Sequence, residues 1–379
     1  MKKTLLAGVA TSMMLLGGTA GAWAAKPIIF GVQAPITGAF ANEGQGIANA
    51  VKLLADEQNA KGGLLGRPIE VKVCDDEGEA SQAAICARQL VGEGAIAVMG
   101  SYSSGAALAA QPIYARANVL QTSDGTSNEL LKKGYATWFG NAPPNSAEAE
   151  FTANYLVKVR GFKKIAVLTD HSSYSTGLSA AVASNVKAVG GDVIAVDYIN
   201  AGSQNFTPVL TKLRSMHPDV VYFSGYYSDG GLVRAQMEQL GMKAAFVGGD
   251  ANQNVAFAKI AGNAAAGSII INVPAPADLP YPIAKEFVSA YQQKYGVQPP
   301  SVYTLTNADG MRAVMQAIEE TKGTNPKKLE NYLHNLKNFQ GLTGTFSWSS
   351  NGERVGSPFV AFTIEQDGSY KVLYPAPAA

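Results

Sequence analysis

The sequence predicts an α/β protein built from two doubly wound, Rossmann-like lobes. Apolar β-type runs alternate along the chain with amphipathic helical segments, which is typical of parallel sheets with helical crossovers. The pair Pro143-Pro144 interrupts this alternation, and prolines at 274, 276, 280 and 282 interrupt it again. Two similar units separated by proline-marked breaks predict two lobes that face one another across a cleft.

The first unit begins with a predicted strand at Ile28–Ala34 and a helix from Glu43 to Asn59. Ile47, Val51 and Leu54 recur in that helix at three- and four-residue spacing, which places them on one face. Lys61-Gly62-Gly63 ends it, because glycine accepts the left-handed conformation of a helix C-terminus. The other predicted elements of the unit are strands at Ile69–Val73, Ile96–Met99 and Val119–Thr122, and helices at Ser81–Val91 and Gly105–Ala117.

The second unit repeats the alternation after the first proline break. Its predicted strands are Ile165–Thr169, Val193–Tyr198, Asp219–Ser224 and Ala245–Gly248, and its predicted helices are Ala147–Val159, Thr176–Val189, Phe206–Met216 and Gly231–Leu240. Three helices follow the second break, at Ile283–Tyr295, Ala308–Glu320 and Pro326–Leu336. The segment from Pro358 to Tyr374 has the pattern of a β-hairpin that turns at 366–369.

The N-terminus has the pattern of a cleavable signal peptide over residues 1–24. Lys2 and Lys3 precede an apolar stretch, and Ala22-Trp23-Ala24 supplies the small-residue cleavage site. The apolar stretch is shorter than the roughly 20 residues that span a bilayer, so a soluble, exported chain is expected. In an oxidising compartment the two cysteines, Cys74 and Cys86, are expected to form a disulfide; two free buried thiols are the alternative.

Composition and motifs narrow the function. Thirty basic residues balance twenty-nine acidic ones, so neither nucleic acid nor an anionic membrane is an expected partner. No Walker loop, H-E-x-x-H pair or G-x-S-x-G elbow occurs, and none of His171, His217 and His334 adjoins a clear nucleophile, so an enzyme is not expected. Neither cofactor nor metal is predicted.

The loops after the strands of the first unit are candidate binding segments, because open α/β sheets bind ligands beyond the carboxyl ends of their strands. Tyr102, Ser103 and Ser104 lie between a strand and the start of a helix, where free N–H groups and hydroxyls can bind a carboxylate. A helix cap is the other role open to Ser103 or Ser104. Thr126 offers a further hydroxyl, and Asp124 either faces the ligand or only forms a turn.

Three strand ends of the second unit add an acid and two aromatic residues. Tyr174 and Tyr226 could stack on a ligand or enclose it. Asp250 follows Gly248-Gly249, and a buried carboxylate there would pair well with an ammonium group.

With these residues in view, the mature chain resembles the periplasmic leucine/isoleucine/valine-binding proteins, the substrate-capture subunits of branched-chain amino acid ABC transporters. The most specific matches are the stretch from Asn59 to Glu70, the pair Asp75-Asp76, and Asn205-Phe206-Thr207. The resemblance implies a type I periplasmic-binding fold with a three-segment hinge. It divides the chain into lobe 1, residues 26–143 plus 274–352, and lobe 2, residues 144–273 plus 353–379.

The resemblance also implies roles for individual residues. Ser104 and Thr126 match the hydroxyls that bind the amino-acid carboxylate, Asp250 matches the acid that binds the ammonium, and Tyr174 and Tyr226 match tyrosines of the second lobe. The chain departs from the leucine-type pattern at three positions: Glu43, Tyr102 and Asp124.

These departures predict a ligand more polar than leucine, since a buried carboxylate requires a donor. Alternatively, Glu43 points to solvent and Asp124 only reinforces the ammonium site. The expected function is periplasmic capture of an amino acid, or an amino-acid-like solute, by a monomer that delivers it to an inner-membrane ABC permease. An amide or aromatic acid as the solute, or ligand sensing through a partner receptor, are the alternatives.

Overall fold

The computed structural model describes residues 26–356 and 358–375. The predicted signal peptide at 1–24 lies outside these residues. No helix in the described part of the chain is both long enough and apolar enough to cross a membrane.

The first sheet has five parallel strands in the spatial order β2-β1-β3-β4-β5. Its strands are β1 Ile28–Ala34, β2 Ile69–Asp75, β3 Ala97–Gly100, β4 Leu120–Ser123 and β5 Trp138–Gly140. We call this sheet and the helices that pack with it lobe 1. Those helices are α1 Ala41–Ala60, α2 Ala80–Gly92, α3 Ser104–Ala117, α4 Asn128–Lys132, α10 Pro282–Tyr295, α11 Tyr303–Thr321 and α12 Pro326–Asn335.

The second sheet has seven strands in the order β15-β14-β10-β9-β8-β6-β7, and we call it and its helices lobe 2. Its strands are β6 Lys164–Thr169, β7 Asp192–Tyr198, β8 Val220–Phe223, β9 Ala245–Gly248, β10 Ile269–Asn272, β14 Val360–Ile364 and β15 Tyr370–Tyr374. Its helices are α5 Asn145–Asn154, which continues as a π-turn to Val159, α6 Ser173–Ala188, α7 Thr207–Ser215, α8 Tyr227–Gln239 and α9 Val255–Ala261. Strands β14 and β15 form the predicted C-terminal hairpin, in which β14 runs antiparallel to both β10 and β15.

Burial explains why these segments fold as they do. Phe30 and Val32 of β1 are fully buried in the core, as the apolar run predicts, and burying such a side chain stabilises the fold by about 1.5–3 kcal/mol. Helix α1 ends at Lys61 as predicted, and Gly63 follows at φ +78°. A Cβ at Gly63 would stand 2.0 Å from the Arg67 carbonyl oxygen, so only glycine fits there.

The chain passes between the two sheets three times: after β5, after β10, and between Val355 and Val360. A small antiparallel sheet beside the crossings consists of β11 Phe339–Gly341, β12 Gly344–Trp348 and β13 Arg354–Val355. Its end is tied to the first crossing, since Arg354 donates to the Asn141 carbonyl at 2.8 Å and Gly140 donates to the Gly352 carbonyl at 2.8 Å. The first and third crossings therefore lie side by side.

Cys74 at the end of β2 and Cys86 in α2 form the expected disulfide. It fastens an edge strand of lobe 1 to the helix that follows it, and closes a loop with a sequence separation of 12 residues. A loop of this size constrains the unfolded chain.

We expect Cys74→Ala/Cys86→Ala to lower the free energy of unfolding by about 3 kcal/mol, because the unfolded chain regains the entropy of the open loop. Chemical denaturation of the oxidised protein and the double variant measures this. The wild type with reductant should unfold like the variant, and the variant should not respond to reductant. Equal stability of all samples would contradict the prediction.

Candidate ligand-binding site

A small cavity lies between the two lobes, at the carboxyl ends of strands from both sheets. It is lined by Tyr102, Ser104, Asp124, Thr126, Tyr174, Tyr226, Asp250, Ala251 and Tyr303. Seven of these are residues that the sequence singled out; Ala251 and Tyr303 are additions. The cavity volume is about 10 Å³, room for about one water molecule. Any larger solute must hold the lining side chains further apart than they stand here.

The lobes touch one another around this cavity. The ring of Phe40 from lobe 1 packs on the ring of Tyr226 from lobe 2, with 4.4 Å between centroids. The ring of Tyr102, also from lobe 1, lies with its centroid 5.6 Å from that of Tyr226. Beyond the rings, the Val255 N–H of lobe 2 donates to the Pro300 carbonyl at 3.1 Å. The site is therefore seen with the lobes closed.

The N-terminus of α3 supplies the hydroxyl side of the cavity. Ser103 is the helix cap: its Oγ accepts from the Ala106 N–H at 3.3 Å and donates to the Gly78 carbonyl. Ser103 therefore does not line the cavity. Ser104 does, and its Oγ accepts the N–H groups of Thr126 and Ser127, each at 3.2 Å. Ser103 thus takes the capping role, and a ligand contact stays a prediction for Ser104.

The phenol of Tyr226 stands where the sequence predicts a ligand carboxylate. Its oxygen lies beside the backbone N–H of Ser104 and the hydroxyl of Ser172, and burial raises the pKa of the phenol well above its usual value despite these two contacts. A ligand carboxylate at the start of α3 would have to displace the phenol or share these donors with it.

Asp250 supplies a carboxylate to the cavity wall from lobe 2. It begins a short 3-10 turn directly after β9, and 2% of it is exposed. The hydroxyls of Tyr174 and Tyr303 and the Ala251 N–H surround its carboxylate and partly offset the burial that raises its pKa. Within residues 26–356 and 358–375, however, Asp250 Oδ1 is buried and has no hydrogen-bond partner. A buried acceptor without a donor loses about 1–3 kcal/mol, so this oxygen requires a nearby donor.

Asp124 lines the cavity and is also held from behind. Thr306 Oγ1 donates to Asp124 Oδ1 at 2.7 Å, and the Asn307 amide donates to Oδ2. Burial raises the pKa of Asp124 well above its usual value, against the effect of these two donors. Asp124 is thus more than a turn residue, since its side chain joins the cavity wall to α11.

Glu43 lies outside the cavity lining, although the sequence placed it among the ligand-binding candidates. It is fully buried, so it does not point to solvent either. Its Oε1 accepts from Asn254 Nδ2 at 2.6 Å and its Oε2 from Ser301 Oγ at 2.7 Å. Because Glu43 belongs to lobe 1 and Asn254 caps α9 in lobe 2, this hydrogen bond joins the two lobes.

Two further residues of the site escaped the sequence analysis. Tyr303 opens α11, and its ring packs on Tyr102 with 5.4 Å between centroids. Glu148 is fully buried in α5 behind Asp250 and accepts the Asp250 N–H at 3.0 Å. Their signals in the sequence are weak: a tyrosine soon after Pro299-Pro300, and an acid on the same helix face as Thr152 and Tyr155.

His171 is exposed and stacks on Tyr198 with 4.4 Å between ring centroids, away from the cavity. The nine lining residues offer hydroxyls, phenols and two carboxylates, and they include no lysine, arginine, histidine or cysteine. Such a set suits the binding of a small solute that carries N–H donors or a cation.

A family model described as periplasmic binding protein matches residues 27–369. Leu/Ile/Val-binding protein homolog 3 of Brucella melitensis is 29% identical over 88% of this chain and 90% of its own length. The Leu/Ile/Val-binding protein BraC3 of Rhizobium johnstonii is 34% identical over 65% of this chain and 67% of its own.

Solved structures agree in fold. The branched-chain amino acid transporter substrate-binding protein LivJ of Streptococcus pneumoniae, in complex with isoleucine, superposes with a TM-score of 0.85 and 27% identity over 92% of this chain and all of that one. Since the family model spans nearly all of the described residues, the chain belongs to the periplasmic binding protein family.

Proposed function

We propose that this protein captures a small amino acid, or a closely related solute, in the periplasm and delivers it to an ABC transporter permease. The observation that carries the proposal is the cavity between the lobes, where Ser104 and Thr126 from lobe 1 face Asp250 from lobe 2. Hydroxyls at a helix N-terminus opposite a buried carboxylate match the two charged ends of a zwitterion.

The similar proteins support the same function. Relatives that cover most of the chain are named for binding leucine, isoleucine and valine, and the superposed LivJ structure holds isoleucine. The seven cavity residues expected from the sequence have the residue types that such a ligand requires. A monomer suffices for this function, because a single chain supplies both walls of the cavity.

Closure of the lobes is the step that gives binding its strength. Moving the ligand's charged groups out of water strengthens each hydrogen bond made to them. A ligand that contacts both lobes also shifts an existing equilibrium towards the closed form. The permease would then recognise that form.

The solute is expected to be more polar than leucine. The Tyr102 hydroxyl belongs to the cavity wall and, within the described residues, is buried without a hydrogen-bond partner. An aliphatic side chain beside it would leave that hydroxyl unsatisfied, at a cost of about 1–3 kcal/mol. Asp124 places a second polar group in the same wall. A short side chain with a hydroxyl, amide or amine would satisfy both.

A thermal-shift screen of residues 26–379 tests the function and the ligand class together. We expect polar or basic amino acids to raise the melting temperature more than leucine does, because a ligand that binds more tightly stabilises the folded protein more at the same concentration. A ligand present at about 1,000 times its Kd adds about 4 kcal/mol to the free energy of unfolding. The plate should include all the common amino acids, short amides and aromatic acids.

Two results would count against the proposal. A shift with leucine, and none with polar or basic amino acids, would contradict the ligand class. No shift with any amino acid would contradict amino-acid capture itself, and a shift confined to amides or aromatic acids would reassign the solute.

A further inference from the structure

Glu148 is a buried carboxyl group to which the binding function proposed above gives no role. It lies in the first turn of α5, directly after the first hinge crossing, and is fully buried. Its Oε1 accepts two hydrogen bonds, from the Asp250 N–H at 3.0 Å and from the Tyr222 hydroxyl at 3.2 Å. The two side chains, Glu148 and Asp250, also lie within hydrogen-bonding reach of one another.

Among the residues that the structure describes, no cationic side chain faces this carboxyl pair. The titratable groups that face Glu148 are Asp250 from the turn after β9, Tyr222 from β8, Tyr174 from α6 and Tyr303 from α11. All four are acids or phenols. Two ionised carboxylates in such a place would repel one another without screening by water.

The hydrogen-bond pattern shows where a proton is needed. Among residues 26–356 and 358–375, both Glu148 Oε2 and Asp250 Oδ1 are buried without a donor. Two ionised carboxylates cannot bond to each other, because each only accepts. One proton between the groups converts the contact into a hydrogen bond.

We propose that Glu148 is a positioning residue that stays protonated and donates a hydrogen bond to Asp250, so that Asp250 is the only member of this pair that presents negative charge to the ligand. The backbone contact from Asp250 to Glu148 Oε1 fixes the relative position of the two groups. Burial, and then the neighbouring Asp250, raise the pKa of Glu148 well above its usual value, in agreement with this protonation state.

The proton determines what kind of ligand charge the site accepts. With Glu148 neutral, the site behind the cavity holds one negative charge and matches a single ammonium group. With both groups ionised it would favour a ligand with two cationic groups there. This consequence rests on the proposed function, whereas the protonation state of Glu148 does not.

The first test uses the protein without ligand. Near pH 8 exposed carboxyls are ionised, so infrared absorption by protonated carboxyl groups comes from buried ones. We expect Glu148→Gln to remove part of this band, and Glu150→Gln, an exposed neighbour on the same helix, to leave it unchanged. An unchanged band in Glu148→Gln would overturn the proposal.

Unfolding provides a second ligand-free measurement. A group whose pKa is raised in the folded state stabilises at low pH, and loses that contribution as pH rises through the folded-state pKa. The melting temperature of the wild type should therefore fall relative to Glu148→Gln as pH is raised. A difference that does not change with pH would show that Glu148 does not bind a proton on folding.

Calorimetric titration with L-alanine, L-leucine and L-arginine tests the positioning role. Glutamine keeps a donor at this position, so Glu148→Gln should bind these probes within about threefold of the wild type. Glu148→Ala removes the donor and should lose at least about tenfold.

An equal, large loss in both variants, with Glu150→Gln unaffected, would mean that the charge of Glu148 itself binds the cation, and would overturn the proposal. If none of the three probes binds the wild type, amino-acid capture is decided by the thermal-shift screen, while the two ligand-free measurements still decide the state of Glu148.

Discussion

Replacing Asp250 with asparagine is expected to weaken amino-acid binding more than any other single change at the cavity. Its carboxylate is buried and faces the hydroxyls of the opposite lobe. Loss of one partner from a buried charge pair costs about 2–5 kcal/mol, roughly 30- to 5,000-fold in affinity. Isothermal titration with the amino acid that gives the largest thermal shift measures the change.

Asp192→Asn is the matched control, because Asp192 is an exposed aspartate of the same lobe, at the start of β7. It should bind like the wild type. Near-normal affinity of Asp250→Asn would mean that Asp250 is not the partner of the ammonium group. Equal unfolding free energies of the two variants would show that any loss of binding is local to the site.

Glu43 is expected to make the closed protein sensitive to pH. Burial raises the pKa of Glu43 from 4.5 to about 7, against the hydrogen bonds from Asn254 and Ser301. The protonated form is therefore favoured in the closed fold, and its contribution to stability is complete below about pH 4.5 and is lost as pH rises through 7. The total contribution is about 3 kcal/mol, of which about 2 kcal/mol lies between pH 5.5 and pH 8.5.

Urea unfolding of the wild type and Glu43→Gln at these two pH values isolates this effect. Other buried acids, such as Asp229, whose pKa is raised to about 6 by burial, act on both proteins alike. We expect the wild type to lose about 2 kcal/mol relative to Glu43→Gln as pH rises. Parallel pH profiles would contradict the prediction.

The equilibrium between open and closed lobes should also shift with pH, towards the open form as pH rises. Opening separates Glu43 from Asn254 and returns the carboxylate to water, so ionisation favours the open form. At pH 8.5, small-angle scattering should show a larger radius of gyration for the wild type than for Glu43→Gln, and at pH 5.5 a smaller difference.

Local patterns were sufficient to predict much of the fold. The strand at Ile28–Ala34 and helix α1 have the predicted bounds to within two residues, because the strand is a nearly continuous buried run and the buried residues of the helix recur at helical spacing. Helix α11 shows where this fails. Its first nine residues, from Tyr303 to Met311, are all buried, including two threonines, Asn307 and Asp309. A buried polar turn has no amphipathic period, so the predicted helix began only at Ala308 and Tyr303 was missed.

Strand β10 and the small sheet of β11, β12 and β13 were also missed. Each strand has five residues or fewer. Runs of this length carry little periodic signal, and their pairing partners lie in other parts of the chain.

The same holds for the site: residues marked by a local pattern could be predicted, and residues defined by contacts far away in the sequence could not. Ser104, Thr126 and Asp250 could be predicted to lie at the cavity because each follows a strand, and strand ends meet at one edge of a parallel sheet. Glu43 was misplaced because its partner Asn254 is 211 positions away in the sequence, a contact that no local pattern encodes. Glu148 was missed for a similar reason, because it belongs to the site only through its hydrogen bond with Asp250, 102 positions later in the sequence.

A crystal structure of residues 26–379 with the amino acid selected by thermal shift would test the binding site most directly. We expect the ligand nitrogen within hydrogen-bonding distance of the Asp250 carboxylate, its own carboxylate at the start of α3 beside Ser104 and Thr126, and the ring of Tyr226 displaced from the position it holds here. A ligand bound outside the cavity between the lobes, or one whose nitrogen contacts neither Asp250 nor Asp124, would contradict the proposed mode of capture.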